Sequence, residues 1–206
     1  AVLGFVTFSS DRSFVLKDDN NLNIKKFLNI IKKYKTKNCV LFGFTSIIWE
    51  KLIDEVKKNK LYINMNNFTL IHGGGWKKLK NLKISDKKFK SDIKKHLNID
   101  KIINYYGMVE QIGSIFFECE HGFFHCSDYS DIFIKNENFE NLDNNKIGLI
   151  HLLSTIPKSY PGHSILTEDL GKIIGVDNCK CGRKGKYFKV LGRIPNVEVR
   201  GCSDVN

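Results

Sequence analysis

The spacing of apolar residues switches repeatedly between helical and strand periods over the first hundred positions, then settles into short strands from about residue 114. No other feature of the sequence restricts the fold as much. Asn23 to Tyr34 (NIKKFLNIIKKY) sets Ile24, Phe27, Leu28 and Ile31 on one helical face with lysines opposite, the spacing of an amphipathic helix. Cys39 to Phe44 (CVLFGF) reads as a buried strand, Thr45 as an N-cap, and Ser46 to Lys58 as a helix burying Ile47, Ile48, Leu52 and Val56. Phe68 to His72 (FTLIH) is a second strand running into glycines, Lys87 to Leu97 a third helix, and Ile102 to Tyr106 (IINYY) a third strand. Strands alternating with helices of this length predict a parallel sheet, with ligands beyond the carboxyl ends of its strands. The later segments SIFFEC, FFHCS, DIFIKN, GLIHLLS, GKIIGV, YFKVLGR and NVEVRG, separated by Gly-rich turns, predict a small antiparallel barrel or sandwich.

The expected architecture is therefore an α/β subdomain over residues 1–113 and a β-rich, barrel-like subdomain over 114–206. The two are expected to pack as one unit, since no repeat and no Pro/Ser-rich linker separates them. A length of 206 residues suits one large domain or two small ones. With 42% hydrophobic and 27% charged residues, the chain is excluded from the disordered and disulfide-stapled classes. No apolar run reaches the roughly 18 residues of a membrane span. Ala1 to Ser10 read as a strand and turn without signal-peptide features, and the chain is expected to be cut from a longer one.

A formal net charge of +11 invites a nucleic-acid reading. Against it, only Arg12, Arg183, Arg193 and Arg200 are arginine among 33 basic residues, and Arg is the residue favoured for bidentate phosphate and base contacts. The lysine excess, with abundant Asn and Ile, is the signature of a low-GC genome on a solvated surface. Six cysteines without an export signal point to a reducing, cytoplasmic setting, and so to metal binding or chemistry.

Five segments are candidates for chemistry. Gly73, Gly74 and Gly75 follow a predicted strand, where missing Cβ atoms let backbone approach a flat or phosphorylated ligand, or simply make a tight turn. In YGMVEQIG, Tyr106 stands at a strand end where an aromatic stacks on a base, and Glu110 where a carboxylate holds magnesium beside phosphates; a core tyrosine and a solvated glutamate are the plain alternative. TEDLGKI sets Glu168 and Asp169 in a turn, suited to ribose hydroxyls or to ordinary turn chemistry. LGRIPNVEVRGC sets Arg193 in a tight turn and Cys202 just after Arg200, whose guanidinium favours a thiolate. Cys119 and His125 flank one turn, with His121 and Cys126 nearby, and Cys179 and Cys181 form a Cys-x-Cys pair on another. Two such pairs suit a closed tetrahedral structural zinc site, or else are unrelated turn residues and buried thiols. Cys39 reads as core.

In order, FGFTSIIWE, IHGGGWKKL, NYYGMVEQIGSIFFEC, SYPGHSILTEDLG and CKCGRKGKYFKVLGRIPNVEVRGCSD resemble the acyl-protein synthetases of the LuxE type. These are the fatty-acid-activating components of the reductase complex that makes aldehyde for bacterial luciferase. More distantly the pattern is similar to phenylacetate-CoA ligases and the adenylate-forming superfamily, of which this chain resembles the carboxyl-terminal part. The resemblance implies that Tyr106, followed by Gly107, stacks on adenine, that Glu110 binds magnesium, and that Asp169 holds ribose. It implies that Arg193 is the motif arginine and that Gly73 to Gly75 wall the adenine pocket. It also implies that Cys119, His125, Cys179 and Cys181 hold zinc and that Cys202 accepts the acyl group.

The sequence departs from the family pattern in places. Val109 stands where a threonine is usual, no Ser/Thr/Gly-rich phosphate loop is present, and Ile194 and Pro195 occupy the hinge. No catalytic lysine is assignable beyond Lys77 or Lys78, which adjoin the glycines. The expected function is ATP-dependent activation of a fatty acid as acyl-adenylate and its transfer to a protein thiol, with a reductase and an acyl-transferase subunit as partners and this segment inactive alone. The alternatives are an aryl- or acyl-CoA ligase, and, from another class, a zinc-containing basic nucleic-acid-binding module.

Overall fold

The computed structural model describes residues 4, 7–75, 84–111 and 114–194. The chain divides into two compact units with the boundary between Ile103 and Asn104.

In the first unit, helix α1 (Ile24–Lys33) begins where the Asn23 side chain accepts the Lys26 N–H at 3.1 Å, and it ends on Lys32 and Lys33. An N-cap acceptor and cationic last turn both complement the helix dipole. Phe27 is buried and Ile24 and Ile31 pack beside it, whereas Leu28, expected on the same face, stands at its exposed margin. Strand β1 (Cys39–Phe44) pairs in parallel with β2 (Phe68–Gly73), from Cys39 opposite Phe68 to Phe44 opposite Gly73. The expected second helix has three consecutive segments: α2 (Thr45–Ile47), a π-helical stretch (Ile48–Ile53) and α3 (Asp54–Lys58). The π stretch buries Ile48, Trp49, Leu52 and Ile53, a wider face than the sequence spacing gave.

Thr45 is not the cap of that helix. Phe44 occupies the cap position without a side-chain bond, because the Thr45 hydroxyl is engaged with β2. Helix α4 (Asp86–Leu97) starts at Ser85, whose hydroxyl accepts the Lys88 N–H, and closes on Asn98 in the left-handed conformation at φ 51°. It buries Phe89, Ile93 and Leu97 together with Ile53, Val56, Met65, Leu70 and Ile99. Asp92 is buried on the same helix, and its two oxygens accept from Lys57 and Lys88, each at 2.6 Å. These two ion pairs hold the carboxyl below its usual range although burial opposes them. Strand β3 (Lys101–Gly107) spans the boundary.

In the second unit, the end of β3 pairs antiparallel with β4 (Ile115–Phe117), Tyr106 opposite Phe116. Strands β5 (Phe124–His125), β6 (Ser130–Lys135), β7 (Gly148–Ser154), β8 (Ser164–Val176) and β9 (Lys186–Arg193) form an antiparallel sheet in the order β5-β9-β8-β7-β6. The antiparallel character matches the sequence reading. The sheet is open, however, with β5 and β6 as edges and no barrel closure among the described residues. Alternating Ile132 and Ile134, Ile150 and Leu152, with Ile173, Phe116 and Phe188, fill its core. This is the period-2 pattern of a sheet buried on one face.

Strand β8 starts further upstream than expected. Glu168 and Asp169, expected in a turn, lie within it, and Arg193, also expected in a turn, ends β9 directly opposite Asp169. Thr167 is the cause: its hydroxyl donates to Ile150 O at 2.8 Å and accepts the Asp169 N–H at 3.1 Å, so the segment is tied to β7. Gly171 lets β8 continue, because a Cβ there would meet Ile150 Cδ1 at 2.6 Å and Lys189 O at 2.7 Å.

Candidate functional site

In the first unit the parallel pair β1 and β2 ends on the glycine segment. Gly73 closes β2, and Gly74 and Gly75 follow at φ 76° and 60°, a region that side-chain-bearing residues rarely enter. Directly before them His72 is buried, with Nδ1 at 2.9 Å from Thr45 Oγ1, which in turn bonds Gly73 O at 3.0 Å. A carbonyl only accepts, so the Thr45 proton goes to Gly73 and His72 Nδ1 carries the hydrogen donated to Thr45. His72 is therefore the neutral Nδ1–H tautomer, its Nε2 having no partner among the described residues. Burial pulls its pKa down to about 4. Sequence reasoning missed this pair; the available signal was a threonine and a histidine at the carboxyl ends of two adjacent predicted strands. The pair pins the carbonyl from which the glycine segment departs.

In the second unit, Tyr106 near the end of β3 donates its phenol to Asp169 Oδ2 at 2.7 Å. Arg193 Nε lies 3.5 Å from Asp169 Oδ1, so one carboxylate links three strands. The Tyr106 ring packs against Phe116, Phe124 and Phe188 at centroid distances of 6.1 to 6.2 Å. Burial first, then the Asp169 charge and hydrogen bond, raise the phenol far above its ordinary range, so it stays a donor at every physiological pH. A carboxylate offers about four acceptor sites, of which Tyr106 and Arg193 engage two among the described residues. Gly107 follows Tyr106, and a Cβ there would lie 3.2 Å from Ser114 O. Val109 and Glu110 are exposed in the turn after β3. A free-standing carboxylate of this kind suits magnesium, which takes one or two protein carboxylates plus phosphates and water.

The sequence-predicted cysteines and histidine come together. One ligand atom each from Cys119, His125, Cys179 and Cys181 lies within 4.8 Å of every other. Two similar turns present them: Gly122 N–H bonds Cys119 O at 2.9 Å, Gly182 N–H bonds Cys179 O at 3.0 Å, and both glycines have positive φ. His125 comes from β5, its ring stacked on Tyr187 of β9 at 5.6 Å and 17°. Cys119 Sγ and Cys179 Sγ are 4.0 Å apart, and Cys181 Sγ is 3.4 Å from His125 Nε2. A tetrahedral zinc with Zn–S of about 2.3 Å and Zn–N of about 2.0 Å has S···S and S···N edges of about 3.8 and 3.5 Å, so the arrangement fits that ion. Burial pushes the Cys179 thiol up to about 11. Cys126, by contrast, packs toward the sheet core, where burial pushes its thiol up to about 12. His121 is exposed, and neither residue joins the cluster.

The glycine segment thus belongs to the first unit, and the Tyr106, Asp169 and Arg193 cluster and the cysteine–histidine cluster to the second. Cys202, Lys77 and Lys78 lie outside the described residues. No helix among the described residues is long and apolar enough to cross a membrane.

The fold is that of the adenylate-forming enzymes. An open conformation of 2-hydroxyisobutyryl-CoA ligase in complex with 2-HIB-AMP and CoA is similar at TM-score 0.63 and 18% identity, over 86% of this chain and 40% of that one. A long-chain-fatty-acid-CoA ligase (FadD1) from Archaeoglobus fulgidus is similar at TM-score 0.56 and 12% identity, over 85% and 38%. ATP-bound MatB from Rhodopseudomonas palustris is similar at TM-score 0.53 and 15% identity, over 82% and 33%. The chain therefore spans two-fifths or less of the length of these structures. The family model described as acyl-protein synthetase, LuxE, matches residues 1–206, and the chain belongs to that family. No curated protein sequence matches it.

Proposed function

We propose that the chain is part of an ATP-dependent ligase that activates a fatty acid as acyl-adenylate and passes the acyl group to a protein thiol, Cys202. The observation that carries this reading is the carboxylate of Asp169, held by Tyr106 and Arg193, in a chain of the LuxE family. Asp169 accepts hydrogen bonds from ribose hydroxyls, and Tyr106 offers its ring to adenine. A carboxylate oxygen of the acid attacks the α-phosphorus of ATP, the bond to the bridging oxygen breaks, and pyrophosphate leaves. Glu110 would hold magnesium, which would neutralise phosphate charge. The Cys202 thiol then loses its proton, its sulfur attacks the acyl carbon, and AMP departs with the electron pair of the broken mixed-anhydride bond. Two easier steps replace one hard one. The cysteine–histidine cluster would hold a structural zinc, and a reductase and an acyl-transferase in the cytoplasm are the expected partners.

Labelled fatty acid and ATP leave label on the full-length protein, removable by hydroxylamine, and the Cys202→Ser variant loses it. Label retained in that variant rules out Cys202 as acceptor. A second reading, a CoA ligase, is supported by the two similar structures named as CoA ligases. It requires CoA-dependent release of acyl-CoA without labelled protein.

A further inference from the structure

The residue after Glu110 plays no part in the chemistry above, yet it is among the most enclosed polar groups of the second unit. Gln111 is 1% exposed. Its Nε2 donates to Gly162 O at 2.9 Å and reaches Leu152 O at 3.4 Å, carbonyls 51 and 41 residues further along the chain. Its backbone N–H bonds Met108 O, and its carbonyl accepts from Ser114 N–H, both at 3.3 Å, so the turn after β3 closes around it. Gly162 also lies beside Glu110 itself: a Cβ on Gly162 would be 3.0 Å from Glu110 O and would run into the Tyr160 ring. The Glu110 carbonyl thus lies near Gly162, and the amide next in sequence is tethered to the same residue.

We propose that Gln111 is a positioning residue for Glu110: its buried carboxamide staples the Glu110 turn to Gly162 and to β7 and so aims the exposed carboxylate. The proposal rests on the reading of Glu110 as a magnesium ligand. Stability gives an amide little advantage here, because Gln111 Oε1 is buried without a partner among the described residues. A methionine of similar length removes that orphaned acceptor at the expense of the bond to Gly162 O, so the two changes offset one another in stability. What the amide contributes is direction. Groups that orient a metal ligand change metal affinity by about 10–100-fold when lost, without touching the ion.

The test is equilibrium binding of Mn2+ by the full-length protein with α,β-methylene-ATP, followed by electron paramagnetic resonance of the free ion, beside urea unfolding of each variant. Glu110→Gln weakens Mn2+ binding. Gln111→Met weakens it about tenfold while the unfolding midpoint stays near that of the wild type. Gln111→Leu, which likewise lacks the donor to Gly162 O, weakens it to a similar extent. Wild-type Mn2+ binding in both Gln111 variants, with Glu110→Gln still weakened, overturns the positioning role and leaves Glu110 in place. Unchanged binding in Glu110→Gln overturns the metal reading and the staple with it.

Discussion

The phenol of Tyr106 donates to Asp169 Oδ2 at 2.7 Å. That bond joins the end of β3 to the middle of β8 through a side chain that stays protonated at every physiological pH. Replacing Tyr106 by Phe removes one donor from a carboxylate that is 15% exposed and leaves Arg193 as its remaining partner. Hydrogen bonds to charged groups contribute about 1.5–3 kcal/mol, so Tyr106→Phe should destabilise the second unit by about 2 kcal/mol. Urea unfolding reads the change, and a shift below about 0.5 kcal/mol would show that the bond is idle in solution.

His72 makes stability depend on pH in a defined window. Burial lowers its pKa from 6.5 to about 4 in the folded chain. Between those values the unfolded chain binds a proton that the folded chain refuses, so stability is complete above pH 6.5 and falls as the pH drops toward 4. A separation of that size corresponds to about 3 kcal/mol. His72→Asn keeps a donor toward Thr45 but has no imidazole to protonate. Its unfolding free energy should change less than that of the wild type between pH 7 and pH 4.5, and parallel curves would remove His72 as the source.

Gly171 is required by space rather than by backbone conformation. Its absent Cβ would collide with Ile150 Cδ1, which is able to turn aside, and with Lys189 O, a β9 backbone atom that is not. Gly171→Ala should cost about 1–3 kcal/mol through displacement of β8 from β9. Wild-type stability in that variant would mean that the two strands part without penalty.

The cysteine–histidine cluster predicts one equivalent of tightly held zinc. Elemental analysis of the purified protein should find it, and the Cys179→Ser, Cys181→Ser double variant should lose it and melt at a lower temperature. Full zinc content in the double variant would move the metal elsewhere.

The sequence carried the strand and helix periods well where one face is apolar and the other charged. Ile24, Phe27 and Ile31 on α1 and the alternating isoleucines of β6 and β7 are examples. It failed where a side chain had a long-range partner. Thr45 has the composition of a cap, and only the proximity of Gly73 O turns its hydroxyl away from its own helix. Glu168 and Asp169 have the composition of a turn, and the Thr167 bond to Ile150 O draws them into a strand. The four metal-type ligands were legible because spacing on a turn is local information. That Tyr106 bonds Asp169, 63 residues away, was not, because neither residue carries any local mark of the other. Gln111 was invisible for the same reason: nothing in YGMVEQ distinguishes a buried amide from a solvated one.

The two halves of the cysteine–histidine cluster are made at different times. Cys119 and Cys179 stand 60 residues apart, with β5, β6, β7 and β8 between them. A ribosome delivers Cys119 and His125 first, two of the four ligands. If the cluster holds the zinc proposed above, an ion bound by all four ligands would be in place only after the later turn has emerged and β9 has found β5, and zinc starvation during synthesis would then be expected to lower the yield of this chain more than starvation after synthesis.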